Sequence, residues 1–464
     1  MRQLRISMER EGMQVPVGTI SGNTPMDACF AYDADYLERE DAVSISVMLP
    51  LQEAAFDPDR TRRYFDGLLP EGFTRRCVAQ WLREEEGDYL SLLAGLGREC
   101  LGALMVTEDG AAPDLPDYRR LSAEEMRSLA REGAMRSAAI VTRSHLSLAG
   151  ASGKVGLYYD PAEGAWYQPV GCAPSTHIVK QSHVRLEGIV ANELLCLSAA
   201  RKLGIDVVDS FLMNPGEGTD ENVLFATRRY DRKFVKPIEG GPLADQAEGP
   251  GKAGSPAHAA ARWKDKAGLS DNSGRTDIIR GLPVPRRLHQ EDMAQALGIP
   301  AERKYEKEHA GYLNRMFRLL RACSADPMRD QLKLWDMVTF HYLIGNTDGH
   351  IKNFSLLYSD SLRTCRLAPA YDVVSTAVYE SSTREMALGI GDQYDLNRID
   401  RRCFEEEAVR AGLGQAMAMK RLDRLADGLE RALRDAADEL TQQGLPGVQD
   451  LRESILEKGG YRNL

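Results

Sequence analysis

Alternating apolar and polar residues open the chain. RQLRISM, QVPVGTISG and AVSISVMLP each place apolar side chains two residues apart, which predicts strands. From Arg60 to Glu86 the spacing becomes helical, with a break at Leu69-Pro70-Glu71-Gly72. The polar, Pro-containing stretch from Glu108 to Tyr118 predicts a linker. Ala138 to Arg232 is again mostly strand-like, around one helix from about Leu186 to Leu203. From Leu288 onward helical spacing dominates, and Gln331 to Gly345 is apolar on more than one face, as in a buried helix. Pro237 to Pro285 is rich in Gly, Ala, Pro, Asp and Ser and has little periodicity, so it predicts an exposed, flexible insertion. No internal repeat is present. The pattern gives an α+β chain in four parts: 1–110, a linker at 111–137, 138–286 containing the insertion 237–285, and a helical part at 287–464.

Composition narrows the function classes. With 43% hydrophobic and 28% charged residues the chain has the balance of a soluble globular protein. A formal net charge of -10 disfavours direct, general attraction to nucleic acid. The eight cysteines form no CxxC pair, which disfavours a zinc site or a disulfide framework and fits a reducing cytoplasm. The N-terminus has no signal-peptide core and no segment approaches a membrane span, so a cytoplasmic protein with no membrane partner is expected.

Phosphoryl transfer to a hydroxyl needs a carboxylate to orient the nucleophile and take its proton. It also needs oxygen ligands that hold magnesium on the phosphates. Asp348 and Asn353, in GNTDGHIKNF after the buried helix, have the five-residue spacing of a protein-kinase catalytic loop. An Asx-rich turn between helix and strand would use the same residues. Asp372 ends the apolar run LAPAYD and is placed as a second metal ligand, or as a helix N-cap before Val373. Gly150-Ala151-Ser152-Gly153, followed by Lys154, lies between strand patterns and can bring backbone N–H groups close to phosphate; a plain hairpin turn is the alternative. It is not a Walker A loop, because residue 148 is Leu. Lys180 ends the strand THIVK and is either an edge-protecting charge or a phosphate-pairing lysine. Such a lysine needs a helical glutamate. Glu187 and Glu193 are available, and Glu193 lies within the helical pattern.

These residues belong to a longer ordered set: FDGLLPEG (65–72), GRECLGAL (97–104), SLAGASGK (147–154), THIVK (176–180), NELLCLSAARKLGI (192–205), RRYDR (228–232), QALGIPAERKYE (295–306), GNTDGHIKNFSLL (345–357) and LAPAYDVVST (367–376). In order and over nearly the whole chain, the set resembles the HipA family of bacterial serine/threonine protein kinase toxins of type II toxin–antitoxin systems. The insertion has no counterpart in that pattern. The resemblance implies a protein-kinase-like bilobal α+β fold, with an N-terminal β-rich subdomain at 1–110, an N-lobe within 138–286 and a helical C-lobe at 287–464. It implies ATP and Mg2+ as cofactors. Asp348 would be the catalytic base, and Asn353 and Asp372 the metal ligands. Lys180, oriented by Glu193, would contact the ATP phosphates under the loop Gly150, Ala151, Ser152, Gly153 and Lys154. Arg228, Arg229 and Tyr230 would form the hinge beside adenine, partly through backbone. His350 would support the ATP site, and Lys352 would steady the transferred phosphoryl group.

Ser147 would be an autophosphorylation site that silences the enzyme, with Ser144 and Ser152 as neighbouring alternatives. The implied partners are a protein substrate such as an aminoacyl-tRNA synthetase and a helix-turn-helix HipB-like antitoxin, through which DNA contact would be indirect. Two competing readings remain. A silent nucleotide-binding scaffold is disfavoured by the intact Lys180, Asp348, Asn353 and Asp372. A small-molecule kinase of the aminoglycoside phosphotransferase type is disfavoured by FDGLLPEG.

Overall fold

The computed structural model describes residues 1–110, 115–132, 154–182, 186–213, 223–234, 278–307, 309–445 and 447–464. Strands β1 (Arg2–Arg10) and β2 (Met13–Gly22) bury Leu4, Ile6, Met8, Val15, Val17 and Ile20, as the alternation predicts. Only Glu11 and Gly12 separate them, both at positive φ (53° and 86°), which matches the right-handed twist of the flanking strands. With β3 (Cys29–Tyr32) and β4 (Leu104–Glu108) they form a sheet of order β3-β2-β1-β4. Helices Pro58–Phe65, Gly72–Leu82 and Tyr89–Leu96 complete this N-terminal unit.

AVSISVMLP (42–50) alternates correctly but is not a strand. Its backbone groups pair with side chains instead of a neighbouring strand. The Ile45 N–H donates to Tyr32 Oη at 3.0 Å, and the Tyr36 and Tyr64 hydroxyls donate to the Val43 and Ile45 carbonyls at 2.8 and 3.0 Å. Glu291, fully buried, accepts from Ser46 Oγ at 2.6 Å and from the Val47 N–H at 3.0 Å. Removing one partner of a buried carboxyl hydrogen bond costs about 1–2 kcal/mol. Ser46→Ala is therefore expected to speed amide hydrogen exchange across 43–49 by roughly tenfold. Unchanged exchange there would rule out this anchoring.

Strands β5 (Asp117–Arg120), β6 (Lys154–Asp160), β7 (Ala165–Val170), β8 (His177–Gln181), β9 (Ser210–Met213) and β10 (Leu224–Arg228) form a second sheet of order β5-β7-β6-β8-β10-β9. The expected linker at 111–137 is corrected by this sheet. Its residues 117–120 are an edge strand, and residues 123–132 are helical, with Met126, Leu129 and Ala130 buried. The expected insertion at 237–285 is corrected at its end. Ile279 and Leu282, in the hairpin Ile278–Ile279/Leu282–Pro283, bury against Tyr118, Tyr158 and Tyr167. Residues 237–277 lie outside the described residues. Helix Ile189–Lys202 packs on the sheet and carries Glu193 inward.

The remainder is mainly helical, as predicted. Pro327–Leu343 is the expected buried helix, started by Asp326, whose side chain accepts the Arg329 N–H, and by Pro327 in the first turn. It buries Leu334, Trp335, Val338 and Phe340 beneath helices Tyr312–Cys323 and Gln415–Gln442. One contiguous apolar core runs from Leu4 through Val179 and Leu195 to Ile455, joining the N-terminal sheet, the second sheet and the helical lobe. Among the described residues no helix is long and apolar enough to cross a membrane.

Candidate active site

The second sheet and the helical lobe meet at a cluster of charged side chains. Lys180 lies on β8, which β6 and β10 flank, so it is a central-strand residue and not an edge-protecting charge. Its ammonium donates to both Glu193 oxygens at 2.8 and 2.9 Å and to Asp372 Oδ1 at 2.5 Å. Of the two glutamates that the sequence offers, Glu193 is the one in these contacts. Burial opposes charge on Lys180, but Asp372 and Glu193 outweigh it and raise its pKa. Burial pushes the Glu193 carboxyl up to about 7 against the pull of Lys180. Asp372 would be raised by burial too, but Lys180 and Lys154 hold it well below the usual carboxylate range. Lys154 pairs across the sheet with Lys180; burial pushes it down to about 8, with Asp372 opposing and Lys180 reinforcing the shift.

Asp372 has φ +57°, and no helix begins at Val373, so it is not an N-cap. The next helical turn, Thr376–Val378, starts at Ser375. Asp348 sits in the turn after the buried helix. That turn is held from behind: Asn346 Oδ1 accepts the Asp348 N–H at 3.1 Å, and Thr376 Oγ1 accepts the Thr347 N–H at 2.7 Å. Asn353 Nδ2 donates to the Asp348 carbonyl at 3.1 Å, which turns Asn353 Oδ1 away from that contact. The Asp348 side chain faces solvent and accepts a hydrogen bond from the Tyr305 hydroxyl. Its pKa is raised, first because the protein around the loop displaces water from one side of the carboxyl; the Tyr305 bond opposes this and the Asp372 charge adds to it.

His350 is buried and neutral, its pKa pushed down to about 3 by burial and by Lys304. It meets the Tyr305 ring edge-on, with 5.4 Å between centroids, and its Nδ1 has no hydrogen-bond partner among the described residues. That fits both the supporting role and a place beside a polar ligand.

Two predicted site residues point elsewhere. The Lys352 ammonium is paired at 3.3 Å with Glu71 and at 3.2 Å with Asp292, and donates to the Gly67 carbonyl, so phosphoryl contact is corrected to an internal tie. The Arg229 guanidinium, 1% exposed, is bound to Glu99 at 2.9 Å and Asp231 at 2.8 Å, with Arg232 on the same carboxylates. It joins GRECLGAL to RRYDR across the two units and leaves only its backbone to a hinge. Arg228 ends β10 with its side chain exposed. Tyr230 stacks on Tyr371 at 5.7 Å between centroids, and its hydroxyl donates to Gln290 Oε1. Gly150, Ala151, Ser152, Gly153, Ser147 and Ser144 lie outside the described residues.

Tyr305, Tyr371 and Gln290 were not singled out from the sequence. The available signal was an aromatic next to each charged motif residue, Lys304-Tyr305 and Tyr371-Asp372.

The site offers two cations for phosphate, a carboxylate and an amide oxygen for a metal, and a separate solvent-facing carboxylate for a hydroxyl. Among the described residues no group of three or more His, Cys, Asp or Glu is placed to hold a metal by itself. Magnesium fits that donor set, because it takes one or two protein oxygens and completes its shell with phosphate and water.

Residues 13–107 match the HipA N-terminal domain, and residues 146–433 match the HipA-like C-terminal domain. The Y4mE protein of Sinorhizobium fredii is 30% identical over 91% of this chain and 90% of its own. The serine/threonine-protein kinase toxin HipA of Shewanella oneidensis is 24% identical over 92% of this chain and 88% of its own. A solved structure of HipA from Shewanella oneidensis, in complex with HipB and operator DNA, superposes with a TM-score of 0.71 at 21% identity. The superposition covers 98% of this chain and 96% of that one, and establishes the fold.

Proposed function

The chain belongs to the HipA family, and from that premise we propose that it is a kinase moving the γ-phosphate of ATP to a serine or threonine of a protein. The observation that carries this reading is the Lys180 bridge to Glu193 and Asp372, facing a loop that presents Asp348 and Asn353. Lys180, steered by Glu193, holds the nucleotide phosphates, with Lys154 as a second cation. Asn353 and Asp372 are the residues that would hold magnesium. Magnesium, when bound, neutralises charge on the phosphate oxygens and aligns the terminal group for in-line attack. Asp348 accepts a hydrogen bond from the acceptor hydroxyl, orients it and takes its proton. Tyr305 already donates to Asp348 Oδ1 and must move for the acceptor to enter. Tyr230, Tyr371 and Gln290 line the side where the hinge backbone would meet adenine.

The proposed setting is the cytoplasm, in keeping with eight free cysteines. The proposed role is that of a toxin acting on a translation factor such as an aminoacyl-tRNA synthetase. A HipB-like antitoxin would restrain it and carry the DNA contact. The test is incubation of the purified chain with labelled ATP, magnesium and a cell lysate. Label on serine or threonine of a lysate protein is expected. Tight nucleotide binding with no transfer would favour the silent scaffold instead.

Ser147 is proposed as the self-modified residue. A phosphate there adds about two negative charges at neutral pH and would compete with nucleotide for the loop amides and Lys180. Mass spectrometry after incubation with ATP and magnesium is expected to find phosphate on Ser147. Phosphate only on Ser144 or Ser152 would move the assignment.

A further inference from the structure

The transfer chemistry leaves FDGLLPEG without a role and uses only Tyr305 of QALGIPAERKYE. Both motifs converge on one carboxylate. Glu71, from the first motif, lies 2.8 Å from the Lys304 ammonium of the second and 3.3 Å from the Lys352 ammonium of the loop between Asp348 and Asn353. Asp292 closes the cluster on Lys352 at 3.2 Å. These four side chains are enclosed, with exposures of 16% for Glu71, 13% for Lys304, 4% for Lys352 and 9% for Asp292. Two carboxylates and two ammoniums cancel. Burial works against charge on Glu71, yet Lys352 and Lys304 hold its carboxyl down at about 2.

Enclosed ion pairs give little net stability, because desolvation offsets their attraction, but they fix geometry tightly. What this one fixes is specific. Lys304 immediately precedes Tyr305, whose hydroxyl covers Asp348. Lys352 immediately precedes Asn353, whose amide donates to the Asp348 carbonyl. Glu71 therefore ties together the loop that presents Asp348 and the segment that covers it, from a unit that itself contributes no group to the reacting atoms.

We propose that Glu71 is a positioning residue for phosphate transfer, so that the N-terminal unit completes the active site instead of only adjoining it. This rests on the kinase reading for its catalytic consequence and on geometry alone for its effect on the loop. Glu71→Gln keeps size but leaves an uncompensated ammonium, which would let residues 345–354 and Tyr305 shift. A displacement of about 1 Å at a reacting group costs on the order of 10²-fold in rate.

The experiment compares the full-length wild type with Glu71→Gln, Glu71→Asp and Lys304→Met. In Glu71→Gln, kcat is expected to fall about 10²-fold while the ATP Kd stays within about twofold. Glu71→Asp should recover part of the loss. Glu71→Gln combined with Lys304→Met should lose less than the product of the single losses, because both act through one cluster. Amide hydrogen exchange over 345–354, without nucleotide, should be faster in Glu71→Gln. Unchanged kcat in a folded Glu71→Gln protein overturns the proposal. So does a parallel loss of ATP affinity and melting temperature, the signature of general damage. If Glu71→Gln does not fold, Lys304→Met must show the split between kcat and Kd or the proposal falls. If the wild type transfers no phosphate, the kinase reading fails separately. The exchange data then decide, with faster exchange supporting the tie and unchanged exchange overturning it.

Discussion

Asp348→Asn is expected to slow phosphate transfer by roughly 10²–10⁴-fold while leaving the fold and ATP binding intact. The turn that carries Asp348 does not depend on its carboxylate. Its backbone is held by Asn346, Thr376 and the Asn353 amide, through hydrogen bonds that do not involve the Asp348 carboxylate. An asparagine keeps the oxygen that accepts the Tyr305 hydroxyl, so the covering contact can persist. What it loses is basicity. An amide oxygen can accept a hydrogen bond from the acceptor hydroxyl but cannot take its proton as the bond to phosphorus forms. General-base catalysis by a positioned side chain contributes roughly 10²–10⁴-fold, and a loss in that range is expected. Lys180, Lys154 and Asp372 lie on other elements, so the ATP Kd should be unchanged within about twofold. The measurement is labelled-phosphate incorporation beside calorimetric ATP binding. Transfer at the wild-type rate by Asp348→Asn would remove Asp348 from the mechanism.

The parts of the site legible in the sequence are those set by local spacing. Asp348 and Asn353 share one short turn, and Lys180 and Glu193 lie on a strand and the helix that follows it, so both pairs could be read before any fold was known. Lys352 could not be placed that way. It lies within the same turn as Asp348, but its ammonium is claimed by Glu71 and Asp292 from distant parts of the chain. Arg229 is the same case, its guanidinium taken by Glu99 of the N-terminal unit.

The strands were legible where alternation coincided with an available neighbour, as in β1 and β2. Residues 42–50 show the converse. Alternation reports which side chains are buried but not what satisfies the backbone, and here tyrosine hydroxyls and Glu291 take the place of a ladder. The hairpin at 278–283 was hidden because two buried residues, Ile279 and Leu282, are too few to show a period.

Asp372→Asn and Asp372→Ala are expected to separate the metal from the nucleotide. Asp372 is held by Lys180 at 2.5 Å and sits at φ +57°, a conformation asparagine tolerates and alanine resists. The asparagine variant therefore tests ligation with little backbone strain, and the alanine variant tests complete removal. Losing an outer partner of a metal ligand commonly costs 10–100-fold in affinity, so loss of the ligand itself should weaken ATP binding in magnesium by roughly that much or more. Without metal the sign reverses. In the proposed complex Asp372 would be a negative charge beside the phosphates, and it occupies Lys180. Removing it frees that ammonium and deletes a repulsion, so ATP binding in EDTA should hold or tighten. A variant that is merely damaged would weaken in both conditions. Calorimetry with ATP, in magnesium and in EDTA, gives the comparison. A magnesium-to-EDTA affinity ratio equal to that of the wild type would exclude Asp372 as a metal ligand, whatever happened to the rate.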